Sequence, residues 1–209
     1  MESSVTGIIR DQLKRGIGVV EAVAADDAIL TTLAQAAQLT ADAMKNGKKF
    51  LAAGNGGSAA DAQHMVAEFV SRLCKDRPAL RAIALTTDTS ILTAIGNDFG
   101  YEHSFERQVE ALGQPGDVFL GISTSGNSPN VVLALEPARK QGVITVGFTG
   151  KGGGKMASLC DYLICIPSPV TMYVQQAHLA LEHLYCLLVE KAYFGDEFAE
   201  ASIATTERV

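Results

Sequence analysis

Five short runs, at 49–53, 82–86, 118–122, 143–149 and 162–166, are rich in residues that favour strands, and stretches with helical spacing separate them. Apolar runs of this length suit strands buried on both faces, and the intervening helices supply both the covers and the crossovers. The alternation therefore predicts an α/β fold: a five-stranded parallel sheet flanked by helices. The helices are expected at Ser58–Leu73 (with Ser58 as its cap), from Ser90–Ile95 onward, and at Tyr101–Leu112, Pro129–Gln141 and Val174–Phe194. Pro129 suits a first helical turn, whereas the interior Pro137 predicts a kink or a displaced start.

Two further helices precede the alternation, at 5–24 and 29–46. Ile8, Ile9, Leu13, Ile17 and Val20 recur near helical spacing in the first. Leu30, Leu33, Ala37, Ala41 and Met44 do so in the second, and Gly47 is a suitable stop. These stripes carry no chemistry and need something to cover, such as a partner subunit. With 209 residues, 47% of them hydrophobic, the chain can build one full core. We expect a single domain over 1–195, with the two helices as an N-terminal extension and 196–209 as a polar tail.

Charge and composition exclude several function classes. The net charge of −6 and the absence of a basic stripe argue against direct contact with nucleic acid. No run of 18 apolar residues is present, so no membrane span is expected. The start lacks a basic segment followed by an apolar one, as a secretory signal would have. Four cysteines without a C-x-x-C pair read as buried free thiols in a reducing compartment, and the cytoplasm is the expected location.

The loops after the first and third strand candidates carry the chemistry. Gly54-Asn55-Gly56-Gly57-Ser58 lets backbone approach a ligand closely at a helix start, where free N–H groups and the helix dipole favour an anion. It is neither the G-x-G-x-x-G dinucleotide fingerprint nor a Walker A loop, which disfavours a nucleotide cofactor. The second loop, Ser123-Thr124-Ser125-Gly126-Asn127-Ser128, offers four hydroxyls within six residues, suited to a neutral cradle for a phosphate dianion. Neither loop contains Lys or Arg, which limits affinity and permits fast release.

An acid/base cluster is the second constellation. His64 and Glu68, four apart, face the same way from one helix. Gln175 and His183 lie eight apart on the last helix, roughly 80° apart around its axis. His178 and Glu182 lie on the same helix, and spacing does not choose between the pairs. His64, Glu68 and His183 can offer N, O and N ligands to zinc, with Gln175 a weaker oxygen ligand.

Taken together, these segments resemble the phosphoheptose isomerase group of sugar isomerase (SIS) domains, over about residues 5–195. The resemblance is carried by GNGGSAADAQHMVAEF (54–69), LTAIGNDFGYE (92–102), GISTSGNSPN (121–130), GFTGKGGGKM (147–156) and VQQAHLALEH (174–183). It implies a SIS-type, flavodoxin-like three-layer sandwich. The phosphate would be held by Ser58, Ser123, Thr124, Ser125 and Ser128, with Asn55 and Asp98 on the sugar hydroxyls and Gly56, Gly57, Glu68 and Gln175 completing the substrate site. One zinc ion per subunit would sit on His64, Glu68, Gln175 and His183. Glu68 and His183 would move the protons, and a homotetramer would complete its active sites between subunits. The implied reaction interconverts sedoheptulose 7-phosphate and D-glycero-D-manno-heptose 7-phosphate through a cis-enediol(ate), supplying heptose for bacterial surface glycans such as lipopolysaccharide. The alternatives are a non-catalytic SIS protein that binds a replication initiator, which in the family lacks the acid/base residues, and an isomerase of another sugar phosphate. One segment departs from the family pattern: Met172 and Tyr173 stand where relatives commonly carry an acidic or small residue and then a basic one.

Overall fold

A computed structural model describes residues 4–195; the polar tail expected at 196–209 lies outside them. Among the described residues, seven α-helices and five strands follow one another in the expected alternation. Helices α1 (Val5–Ala24) and α2 (Asp27–Lys45) come first, then β1 (Phe50–Gly54), α3 (Gly57–Val70), β2 (Ala82–Ala84), α4 (Thr89–Asp98) and α5 (Glu106–Leu112). The second half runs β3 (Val118–Ser123), α6 (Pro129–Lys140), β4 (Ile144–Thr149), β5 (Tyr162–Cys165) and α7 (Thr171–Phe194). The sheet is parallel throughout, in the order β2-β1-β3-β4-β5. That is the doubly wound flavodoxin-like order, whose direction of winding reverses between β1 and β3.

Side-chain alternation along the strands divides the interior into two cores. Phe50, Ala52, Leu120, Ile122 and Phe148 face α2, α3 and α7. Leu51, Ala53 and Phe119 face the opposite way, against Phe105, Val109, Val131 and Leu135 of the α5–α6 side. Helix α3 therefore covers one face and α6 the other, and a crevice opens between their starts at the C-terminal ends of β1 and β3.

Several local expectations are corrected. Ser58 does not cap α3: Gly56, at φ +57°, is the cap residue, and Ser58 is buried within the first turn. The helix also stops at Val70 rather than Leu73. Tyr101–Leu112 is not continuous but a short 3-10 turn over Tyr101–His103 followed by α5, which lets Phe105 enter the second core. Pro137 does not displace the start of α6, which runs unbroken from Pro129. Buried in the interior, Pro137 contributes packing that offsets its missing N–H. Cys186 is buried, and Cys74, Cys160 and Cys165 are half-buried, not fully enclosed as expected. Burial pushes the Cys160 thiol up to about 12, which makes it inert at neutral pH.

Candidate active site

The loop after β3 is held in shape largely by its own backbone and by the next loop. Ser123 Oγ lies 2.8 Å from Ser128 Oγ and 3.4 Å from Ser125 Oγ. Ser128 occupies the cap position of α6, yet its hydroxyl makes no capping bond and instead faces the other serines. Ser123 is buried, Thr124 and Ser128 are half-buried, and Ser125 is exposed at the mouth. Gly126 adopts φ +65°, and a Cβ there would lie 2.0 Å from the carbonyl oxygen of Gly153. The glycine-rich loop 150–154 is thus the brace for the serines. Gly150 N–H donates to Thr124 O (3.0 Å), Met156 N–H to Gly126 O (3.1 Å) and Lys155 N–H to Asn127 Oδ1 (3.0 Å).

Across the crevice, the β1–α3 loop presents a helix start without a side-chain cap. At Gly57 an added Cβ would meet the Gln175 amide nitrogen at 2.6 Å, so the Gln175 side chain would have to shift. Gln175 therefore reaches the first turn of α3, about two turns before His64. Asn55 exchanges hydrogen bonds with buried Asn130 (2.8 and 2.9 Å), and its Oδ1 also accepts from the Tyr101 hydroxyl at 2.9 Å. Asn130 belongs to the site's scaffold and was not singled out from the sequence. Asp98 is exposed at the end of α4, where its Oδ1 accepts from the Asn97 amide.

Further along α3, the acid/base cluster is assembled. His64 Nε2 lies 2.9 Å from His183 Nε2 and 3.5 Å from Glu68 Oε1. Ligand atoms from the three side chains all fall within 4.8 Å of one another. Two ring nitrogens and a carboxylate oxygen aimed at one point fit a zinc ion, whose tetrahedral N/O ligands stand about 3.3 Å apart. The structure also separates the two candidate pairs of α7. Gln175 and His183 face α3, whereas His178 and Glu182 are buried.

His178 donates Nε2–H to Thr149 O at 3.1 Å, and burial lowers its pKa to about 4, so it is a neutral structural residue. Glu182 has neither carboxyl oxygen paired, and burial, then the charge of Asp61, pushes it up to about 8. The departure at 172–173 is structural as well. Tyr173 is buried and its hydroxyl donates to Gln12 Oε1 of α1 at 2.5 Å, while Met172 is exposed.

The comparisons agree with this geometry. The SIS domain family profile matches residues 19–150. A phosphoheptose isomerase from Aneurinibacillus thermoaerophilus is 54% identical over 91% of this chain and 96% of its own. Phosphoheptose isomerase 2 of Campylobacter jejuni is 50% identical over 94% and 98%. The solved phosphoheptose isomerase from Neisseria gonorrhoeae superposes with a TM-score of 0.84 at 40% identity, covering 90% of this chain and all of that one. The chain belongs to the SIS domain family and, within it, to the phosphoheptose isomerases.

Proposed function

We infer that this enzyme interconverts sedoheptulose 7-phosphate and D-glycero-D-manno-heptose 7-phosphate, for heptose and surface-glycan synthesis. The observation that carries the assignment is the convergence of His64, Glu68 and His183, in a chain that also presents a neutral serine cradle at the switch point of the sheet. Ser123, Thr124, Ser125 and Ser128, with Ser58 and the uncapped starts of α3 and α6, grip the phosphate. Asn55, Asp98, Gln175 and the backbone of Gly56 and Gly57 contact the sugar. Asn55 Oδ1 already accepts two hydrogen bonds, so Asn55 offers the sugar its remaining N–H.

After ring opening, the Glu68 carboxylate takes the C1 proton of the ketose while the C2 oxygen gains a proton, giving the cis-enediol. Glu68 then returns the proton to C2, and O1 loses its proton as the aldehyde forms. His183 moves the proton between the two oxygens. His64, Glu68 and His183, with Gln175, would hold one zinc ion per subunit, which when bound polarises the carbonyl and hydroxyl oxygens. The phosphate grip decides which carbon meets the base.

A homotetramer is the proposed assembly. Ile8, Ile9, Leu13 and Ile17 of α1 are each about half exposed, as is Leu184 of α7, an apolar face that a second copy would cover. No described helix is long and apolar enough to cross a membrane, and we place the enzyme in the cytoplasm. The non-catalytic alternative is disfavoured, because Glu68 and His183 are both present and aimed at one point.

NMR in heavy water tests the activity. The C1 proton signal of sedoheptulose 7-phosphate should be lost as the aldose appears. No exchange with this sugar, alongside exchange with a hexose or pentose phosphate, would reassign the substrate. Metal analysis should find one zinc per chain, and light scattering a particle of four chains.

A further inference from the structure

The C-terminal end of α3 is finished by a side chain. The helix stops at Val70, so the carbonyls of Glu68 and Phe69 have no partner in a following turn; Phe69 O accepts from Leu80 N–H at 3.0 Å, and Glu68 O is left to a side chain. Arg77, from the segment before β2, takes that place. Its Nη2 donates to Glu68 O (2.6 Å), and its Nη1 to Phe69 O (2.9 Å) and Pro78 O (3.0 Å). Nε donates to Glu190 Oε1 (2.7 Å), and Nη2 pairs with the same oxygen at 2.6 Å. All five guanidinium N–H groups are therefore engaged. Both side chains are enclosed, at 0% and 1% exposure, and Leu73 N–H donates to Glu190 Oε1 as well.

The location of this pair gives it a second role. Glu190 follows His183 on α7 by seven residues, two turns, and so lies on the same face about 10 Å further along. His64 and Glu68 both belong to α3, and the guanidinium binds the carbonyl of Glu68 itself. The pair thus ties the helix carrying two members of the acid/base cluster to the helix carrying the third. A cation at the end of α3 also complements its dipole. Buried ion pairs add little stability over apolar replacements of similar volume, so the geometry they impose is the property to test.

We propose that Arg77, held by Glu190, is a positioning residue for the acid/base cluster, setting the last turn of α3 against α7 so that Glu68, His64 and His183 converge. This rests on the cluster having the role given above.

Arg77→Lys keeps the charge but not the five-point fork. The expected result is a folded protein with kcat lowered about tenfold, KM for sedoheptulose 7-phosphate unchanged, cobalt(II) bound about tenfold more weakly, and an altered visible cobalt spectrum. Wild-type kcat, cobalt affinity and spectrum in folded Arg77→Lys would overturn the proposal. Should that variant not fold, Arg77→Met with Glu190→Met replaces the pair by apolar volume, and the same defects are expected of it. Wild-type values there, or loss of folding in both variants, would reduce the pair to a structural element and overturn the proposal equally. Failure of the wild-type protein to bind cobalt or exchange the sugar proton would instead break the proposed function on which this role rests.

Discussion

The serine loop draws its hydroxyls from six consecutive residues, whereas His64 and His183 meet across 119 positions of sequence. The loop's shape depends on Gly126 and on the backbone brace from 150–156, so a single donor can be removed without moving the others. The cluster has no such local frame. It exists only while α3 and α7 keep their register, and each of its members has a part in the proposed chemistry. Phosphate binding and proton transfer should therefore fail separately.

The sharpest separation comes from Glu68→Gln. Turnover should fall by about 10²–10⁴-fold, the range of a general acid/base group, while affinity for a phosphate-bearing ligand stays at the wild-type value. Turnover close to wild type would remove Glu68 from proton transfer. The neighbouring helix supplies a pH test. His178 is held neutral with a pKa of about 4, while in the unfolded chain it protonates below about 6.5. Its folded pKa is depressed, so stability is full above 6.5 and is lost as pH falls toward 4, by about 3 kcal/mol in total. Denaturant titrations of wild type and His178→Gln should differ in slope over that window. Glu182 acts in the opposite sense. With a folded pKa raised from 4.5 to about 8, its stabilising contribution is full below 4.5 and is lost as pH rises from 4.5 to about 8, so Glu182→Gln should flatten the profile over that window. The six residues of the serine loop contain no titratable side chain, and their own contribution should be level across both windows.

Gly126→Ala should break the comparison from the other side. The left-handed backbone and the 2.0 Å approach to the Gly153 carbonyl oxygen force the brace to move, at a cost of about 1–3 kcal/mol. Phosphate-ligand affinity should drop more than about tenfold, while metal binding by the cluster is retained. Equal loss of both would show that the two regions are not independent.

The same contrast explains what was legible in the sequence. Strands buried on both faces betray themselves as apolar runs, and the serine loop as a local composition, so both could be placed in advance. Ser58 was misjudged as a cap because the true cap, Gly56, depends on a positive φ that composition does not reveal. Spacing on α7 left Gln175/His183 and His178/Glu182 equivalent; only packing against α3 and the sheet separates them. Arg77 and Glu190, 113 positions apart, gave no periodic or motif signal, and neither did the pairing of Asn55 with Asn130. Such partners share no local pattern because the contact is made by tertiary structure alone.

Ser125→Ala should give the smallest effect and is the finest probe of how the loop works. Ser125 is the exposed hydroxyl of the three; its Oγ accepts from Asn127 N–H at 3.1 Å and lies 3.4 Å from Ser123 Oγ. Removing it deletes one donor to a charged ligand, worth about 1.5 kcal/mol or roughly tenfold in affinity, and leaves the Ser123–Ser128 pair in place. Stability should barely change, because the lost partner lies at the surface where water can replace it. The loss should appear in ligand affinity and KM, with kcat close to wild type once the enzyme is saturated. A fall in kcat as large as the fall in affinity would mean that the grip on phosphate also steers the reacting carbons, and that the cradle and the acid/base cluster act as one unit.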